Sequence, residues 1–266
     1  MIIVEIIVLL LIGLFAGLMI GIAGASGAAI MVSLLYILLN FSIHESIGTS
    51  LMANAIASTV VAFVYYRNRN IELSPCLWLA LGSIPGTQLG AIIANKTPET
   101  SLGGFVGVVL IIMGFFLWNR GLKREKILEK IGGILRVKDE RLKKTISIGI
   151  GLWVGLMSGL FGASGGVWFL AILFLLFGLP LHKSVGGAAF LMMLTAFSAT
   201  MAHTGYGEVN LSAGLLVGIG AAVSGNLSAK FANKSTEEVL IKSIAVLLVV
   251  LGLFMVTVNF TGFSLH

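Results

Sequence analysis

One pattern occurs twice in this chain. Leu14–Gly27 reads LFAGLMIGIAGASG, and Leu152–Gly165 reads LWVGLMSGLFGASG, 138 residues further on. The same offset carries His44 onto His182, Ser46 onto Ser184, Gly48 onto Gly186, Gly82 onto Gly220 and Asn95-Lys96 onto Asn233-Lys234, with no gap. A chain made of two copies of one unit must bury each copy against the other. In hydrophobic chains such duplication marks transporters, whose site lies where the copies meet.

Composition sets the solvent. Hydrophobic residues make up 58% of the 266 and charged residues only 11%, against about 25% charged in an ordinary soluble domain. Too little polar surface remains to face water, so the chain is expected to be an integral membrane protein. Its apolar runs are long and unbroken, which predicts helices rather than the short alternating strands of a barrel. The net charge of +6 is no nucleic-acid signal, because ten of the seventeen basic residues sit in Arg120–Lys144. The single Cys76 excludes an internal disulfide and a cysteine-only metal cluster. Met1-Ile2-Ile3-Val4-Glu5 has no basic start, so no cleavable leader is expected. Much of the first segment also recurs at Leu152, which makes it part of the fold.

Apolar segments are predicted near 2–23, 27–40, 45–66, 73–94 and 101–119, then near 146–161, 166–178, 184–204, 211–231 and 238–258. A span needs about 20 apolar residues, so 27–40 and 166–178 are too short. Each follows a glycine break. The expected fold is therefore all-α and polytopic, with two inverted repeats, each a broken or re-entrant helix hairpin plus three spans. The divisions are 1–119 as the first repeat, 120–145 as a basic connector, and 146–266 as the second repeat. The connector could lie on the surface as an amphipathic helix, with Ile127, Leu128, Ile131 and Leu135 on one side. Its lysines and arginines place it in the cytoplasm. Counting outward, Arg67–Asn70 falls inside and the loop 40–45 outside. Lys183, Lys230, Lys234 and Lys242 fall inside only if the second hairpin returns to its starting side. The halves then run in opposite senses, with both termini outside and Lys96 the one dissenting basic residue.

The breaks carry the expected chemistry. Gly24-Ala25-Ser26-Gly27 interrupts a helix deep in apolar sequence, where irregular backbone must face protein or a wet cavity. The half-helix starting near Ala28 presents unpaired amides and a partial positive charge, an anion site that needs no basic side chain. Ser26 adds a hydroxyl donor. Gly162, Ala163, Ser164, Gly165 and Gly166 repeat the arrangement from the opposite direction. Close packing is the competing reading for glycines. The small-xxx-small pairs Gly17/Gly21 and Gly155/Gly159 are assigned to packing, and the glycines and serines of the breaks to substrate. A phosphate-loop reading fails, since no Gly-Lys-[Ser/Thr] follows and no hydrophilic βαβ unit surrounds the glycines.

A second repeated element runs Gly82–Gly90, with Gly220–Ser228 as its partner. Pro85 removes a backbone donor. Gln88 and Asn226 align inside their spans, where an amide either joins helices or contacts substrate. Asn54 poses the same choice and aligns with Met192. His44 and His182 sit at matching loop ends, as proton relays or as caps of the helices that follow. His203 lies near Tyr206 and Glu208, and Tyr65 aligns with it. No Asp, Glu, Lys or Arg lies clearly in mid-span, which favours an anion held by dipoles over a cation.

These residues resemble the TauE/SafE family of sulfite exporters. The resemblance rests on the duplicated glycine opening (Gly17, Gly21, Gly24, Gly27; Gly155, Gly159, Gly162, Gly165, Gly166), on His-x-Ser-x-Gly at His44 and His182, and on Pro85-Gly86-x-x-x-Gly90. The second copy has Val223-Ser224 in place of the Pro-Gly pair. The resemblance implies an inner-membrane permease for sulfite, organosulfonates or similar small anions. No catalytic residue, metal ligand or cofactor is expected. An intramembrane enzyme would need paired mid-span acids, a nucleophile with its base, or an HExxH pair. The remaining alternatives are an anion channel and an uptake permease for another small anion. The expected partners are a small anionic substrate and the lipid bilayer, with a homodimer left open and no nucleic acid.

Overall fold

The computed structural model describes residues 2–97, 140–162 and 165–236, with isolated positions 239, 242, 246 and 249. The segment expected at 101–119, residues 120–139 of the connector, and most of 238–258 lie outside the described residues.

Every element is helical: α1 (Ile2–Ala23), α2 (Ala28–Leu39), α3 (Ile43–Arg67), α4 (Leu73–Asn95), α5 (Glu140–Phe161), α6 (Gly166–Ala171), α7 (Leu181–Gly205) and α8 (Leu211–Ala232). A π-helical turn, Ile172–Leu176, extends α6. Helix α5 is already helical at Glu140, where the described residues resume, because Glu140-Arg141-Leu142-Lys143-Lys144 are helix formers that extend the helix beyond the apolar stretch expected from 146. The ends follow local chemistry. Gly24 (φ +56) and Gly162 (φ +67) adopt the left-handed conformation that stops α1 and α5. The Ser42 hydroxyl accepts from the Glu45 amide at 3.1 Å to start α3, and Asn210 accepts from Ala213 N at 3.1 Å to start α8. Helices α1, α3, α4, α7 and α8 are long and apolar enough to cross a bilayer, while the apolar parts of α5 and α6 are shorter. Leu215, Ile219, Val223, Leu227 and Phe231 recur every fourth residue on α8 and are all exposed. Such a stripe is untenable in water and suits lipid.

Glycines set the packing. Along α1, added methyls at Gly13, Gly17 and Gly21 would strike Val217, Ala221 and Gly225 in turn, so α1 and α8 run parallel in backbone contact. Along α4, Gly82, Gly86 and Gly90 meet Ile148, Leu152 and Leu156, so α4 and α5 also run parallel. Gly155 and Gly159 close on Ser83 and Thr87. The assignment of Gly17, Gly21, Gly155 and Gly159 to helix packing therefore holds. Helices α3 and α7 run antiparallel at the centre. Gly48 of α3 abuts the Glu208 carbonyl after the end of α7, and Gly186 of α7 abuts the Asn70 carbonyl after the end of α3.

Candidate functional site

The returning helix of the second hairpin meets the first break. A methyl on Gly166 would meet the Met192 sulfur and would lie 2.7 Å from the Gly24 carbonyl oxygen and 2.8 Å from the Ser26 amide nitrogen. The start of α6 therefore rests directly on the first break, beside the middle of α7. The breaks themselves lie toward opposite ends of the central pair. Gly24 packs on Val185, about one turn into α7, and Gly162 on Ile47, about one turn into α3. The two hairpins thus pass each other before their returning helices meet.

Each residue of the first break has a defined place. Ala25 and Ser26 are buried. The Ser26 hydroxyl oxygen accepts from Ala28 N at 3.1 Å, so the serine caps one amide of α2. The Ala29 and Ile30 amides have no carbonyl one turn back within the helix. Gly27 precedes α2 and lies against the Ala16 carbonyl oxygen, where a methyl would approach to 2.7 Å. It lets α2 fold closely onto α1. In the second break, Gly165 (φ +66) packs on Val154 and Phe169. Ala163 and Ser164 lie outside the described residues.

The other candidates divide. Asn54 is wholly buried on α3, in line with Ser46, Ser50 and Ser58 at four-residue spacing, and so on one helical face. Gln88 sits on α4 and donates to the Ser198 carbonyl at 2.6 Å and to its hydroxyl at 2.9 Å. It joins α4 to α7. Asn226 is half-buried on α8. The hydroxyls of Ser46, Ser50 and Ser158 are buried without a hydrogen-bond partner among the described residues. Ser46 and Ser50 flank Ile47 in sequence, and Ser158 precedes Gly162 by one turn. Three orphan hydroxyls near one break are unusual in an apolar interior, where buried polar groups are nearly always paired.

Two features were missed in the sequence. Met192 touches Gly166, and its only signal was its alignment with Asn54. The carbonyls just before the breaks are also held: the Tyr65 hydroxyl donates to Gly21 O at 3.0 Å, and His203 Nε2 faces Gly159 O at 3.4 Å. Their signal was that Tyr65 and His203 share the 138-residue offset of Gly21 and Gly159. His182, expected to cap the start of its own helix, instead reaches the Ala232 and Ser235 carbonyls at 3.1 Å each. Carbonyls at a helix end lack intrahelical donors and draw the imidazole. Tyr65→Phe should cost about 1–3 kcal/mol, because it strips a buried carbonyl of its donor. Thermal unfolding in detergent checks this. An unchanged midpoint would mean that the Gly21 carbonyl is satisfied elsewhere.

Comparison with known proteins agrees with this architecture. The sequence profile of the family described as sulfite exporter TauE/SafE matches residues 9–255. A probable membrane transporter protein of Bacillus subtilis (strain 168), YunE, is 24% identical over 203 residues, covering 73% of each chain. A second from the same organism, YdhB, also described as a probable membrane transporter protein, is 35% identical over 77 residues, 29% of this chain and 31% of its own length. No solved structure matches. With glycine-packed membrane helices, two broken hairpins that converge, and a family profile spanning nearly all of its length, the chain belongs to the TauE/SafE family of membrane transporters.

Proposed function

We propose that this protein is a secondary transporter that carries a small sulfur-containing anion, sulfite or an organosulfonate, across the cytoplasmic membrane. The observation that carries the reading is the seating of Gly166 on the Gly24 carbonyl and the Ser26 amide. It brings the starts of two half-helices to one place, where first-turn amides can hold an oxyanion. The orphan hydroxyls of Ser46, Ser50 and Ser158 add donors near the second break. Among the described residues no Lys or Arg is buried, so backbone amides and hydroxyls supply the positive potential.

Inverted repeats fit this reading. Related segments packed antiparallel with reciprocal contacts, as at Gly48/Glu208 and Gly186/Asn70, support a two-fold axis perpendicular to the helices. Such an axis lies in the membrane plane. Asn54 occupies on α3 the position that Met192, which meets Gly166, occupies on α7, and it is read here as a substrate ligand. Gly162 to Gly166, with Ala163 and Ser164, then form the second half of the site.

The test is counterflow in liposomes reconstituted with the full chain. Labelled sulfite or methanesulfonate should exchange saturably against unlabelled anion inside. Flux that stays linear with concentration and shows no exchange would identify a channel instead. Ser26→Ala removes a hydroxyl and uncaps Ala28, so the concentration for half-maximal exchange should rise about tenfold, near 1.4 kcal/mol. An unchanged value in the Ser26→Ala/Ser164→Ala double variant would remove both hydroxyls from the site.

A further inference from the structure

The two ends of the central helix pair are built to one plan, but only one of them holds its pre-break carbonyl with a histidine that is paired to a carboxylate. At the first end, Tyr65 donates to the Gly21 carbonyl at 3.0 Å, and Asn70 Nδ2 donates to Asn233 Oδ1 at 2.6 Å. The 138-residue offset gives the other end: it carries Tyr65 to His203, Gly21 to Gly159 and Asn70 to Glu208, and Asn233 back to Asn95. There His203 Nε2 faces the Gly159 carbonyl at 3.4 Å, His203 Nδ1 lies 2.6 Å from Glu208 Oε2, and Asn95 Nδ2 donates to Glu208 Oε1 at 2.7 Å. His203 is 0% exposed and Glu208 9%. The Tyr65 end shows that holding the pre-break carbonyl needs neither a histidine nor a carboxylate. A buried charged pair is also a poor source of stability, since neutral replacements often do as well or better. The histidine and the carboxylate therefore serve something other than packing.

We propose that His203 and Glu208 form the proton site that couples transport to protons. This rests on the transport reading above. Both ring nitrogens of His203 face oxygen acceptors, so the observed geometry is satisfied when the pair holds two protons. Either the imidazolium donates from Nδ1 to the carboxylate and from Nε2 to Gly159, or the carboxylic acid donates to Nδ1 and Nε2–H still donates to Gly159. Removing one proton leaves a single N–H for two acceptors. A ring lone pair then opposes either the Gly159 carbonyl or the carboxylate. If the N–H stays with Glu208, α5 loses its hold three residues before Gly162, and the second break is released.

The surroundings supply a way out for that proton. From α3, His44 Nδ1 stands 3.9 Å from Glu208 Oε1, with its side chain 22% exposed. Glu45, also on α3, is occupied by Asn210 Nδ2 at 3.2 Å. Helix α4 presents Asn95 and the exposed Lys96, α5 presents the Gly159 carbonyl, and the loop after α7 presents the exposed Tyr206. His44 is thus the base placed to pass the proton between Glu208 and bulk water. No other reactant is needed.

The test uses the full chain in liposomes with methanesulfonate, whose charge is fixed over the working range. The double variant His203→Tyr/Glu208→Asn copies the Tyr65/Asn70 arrangement. It should keep counterflow at equal pH within about twofold, yet lose at least about tenfold of the accumulation driven by a pH gradient. Glu208→Gln alone should show the same split and decides the matter if the double variant does not fold. Gradient-driven accumulation at the wild-type level in a folded variant overturns the proposal, as does a wild-type protein indifferent to the gradient. A substrate-free readout separates this proposal from the transport reading. The ¹⁵N signals of the His203 ring and the ¹³C signal of the Glu208 carboxyl, in labelled protein in nanodiscs, report the pair together, and at least one of them should change its protonation as the pH is raised across the working range. A ring and a carboxyl that both stay in one state overturn the proton site. A pair that changes protonation while neither sulfite nor methanesulfonate exchanges upholds it and overturns the substrate assignment.

Discussion

Gly166→Ala should abolish anion exchange while the protein remains in the membrane as a folded bundle. The added methyl meets three groups at once: the Met192 sulfur, the Gly24 carbonyl oxygen at 2.7 Å and the Ser26 amide nitrogen at 2.8 Å. Two of the three are backbone and cannot turn aside as a side chain can. The start of α6 must then move away from the first break, which separates the two half-helix ends. Overpacking of this kind costs about 1–3 kcal/mol, a fraction of the about 5–15 kcal/mol that holds a typical fold. Stability is dented while the site geometry is lost. Adding Met192→Ala relieves one contact of the three, so it should recover part of the thermal stability and none of the exchange. Gly205→Ala is the control, since nothing lies within 4 Å of its added methyl. Exchange at the wild-type rate in Gly166→Ala would show that the convergence of the breaks is not where substrate binds.

Gly155→Leu should prevent folding altogether. Here a single methyl would strike the Ser83 carbonyl oxygen and come within 2.7 Å of its Cα. Leucine adds three more carbons in the same direction. Helix α5 can relieve the clash only by leaving α4. That would open the parallel contact in which Gly82, Gly86, Gly90, Gly151 and Gly159 also take part. Membrane helices gain little from burying apolar surface against one another, because lipid is equally apolar, so close van der Waals contact supplies most of their association. Separating this pair removes that contact along its whole length, and the cost should exceed the usual range of about 1–3 kcal/mol for overpacking. Loss of monodisperse protein in detergent checks this, with Gly149→Leu on the same helix as the control, since its methyl meets nothing within 4 Å. Equal yield and thermal stability in the two variants would refute the packing role of Gly155.

Helix positions were largely legible beforehand. Expected and observed bounds agree within one or two residues for α1, α2, α4 and α8, because long apolar runs, left-handed glycines and polar caps act locally. The apolar stretch expected at 146–161 is found within α5, and Glu140–Lys144 carry the helix beyond it because hydropathy marks the bilayer and not the helix. The candidate site was legible only as motifs. Glycine has no side chain to declare its purpose. Nothing in the sequence distinguishes Gly27, which lets α2 close on α1, from Gly166, which meets the opposite hairpin. Gln88 and Asn54 looked alike as buried amides. Gln88 proved to be engaged by Ser198, more than a hundred residues away.

Sequence alone determined that this chain lives in a membrane, that it is helical, that it is duplicated, and where two of its helices break. Each of these follows from forces acting along the chain: the solvent demanded by apolar runs, the backbone freedom of glycine, and a repeat that must be read in register. Tertiary structure alone decided which break meets which, that Met192 faces the meeting point, and that His203, paired with Glu208, reaches the Gly159 carbonyl as Tyr65 reaches that of Gly21. Those relations join residues far apart in sequence, and no local energy term encodes them. They exist only once glycine-lined helices have come close enough for backbone to touch backbone.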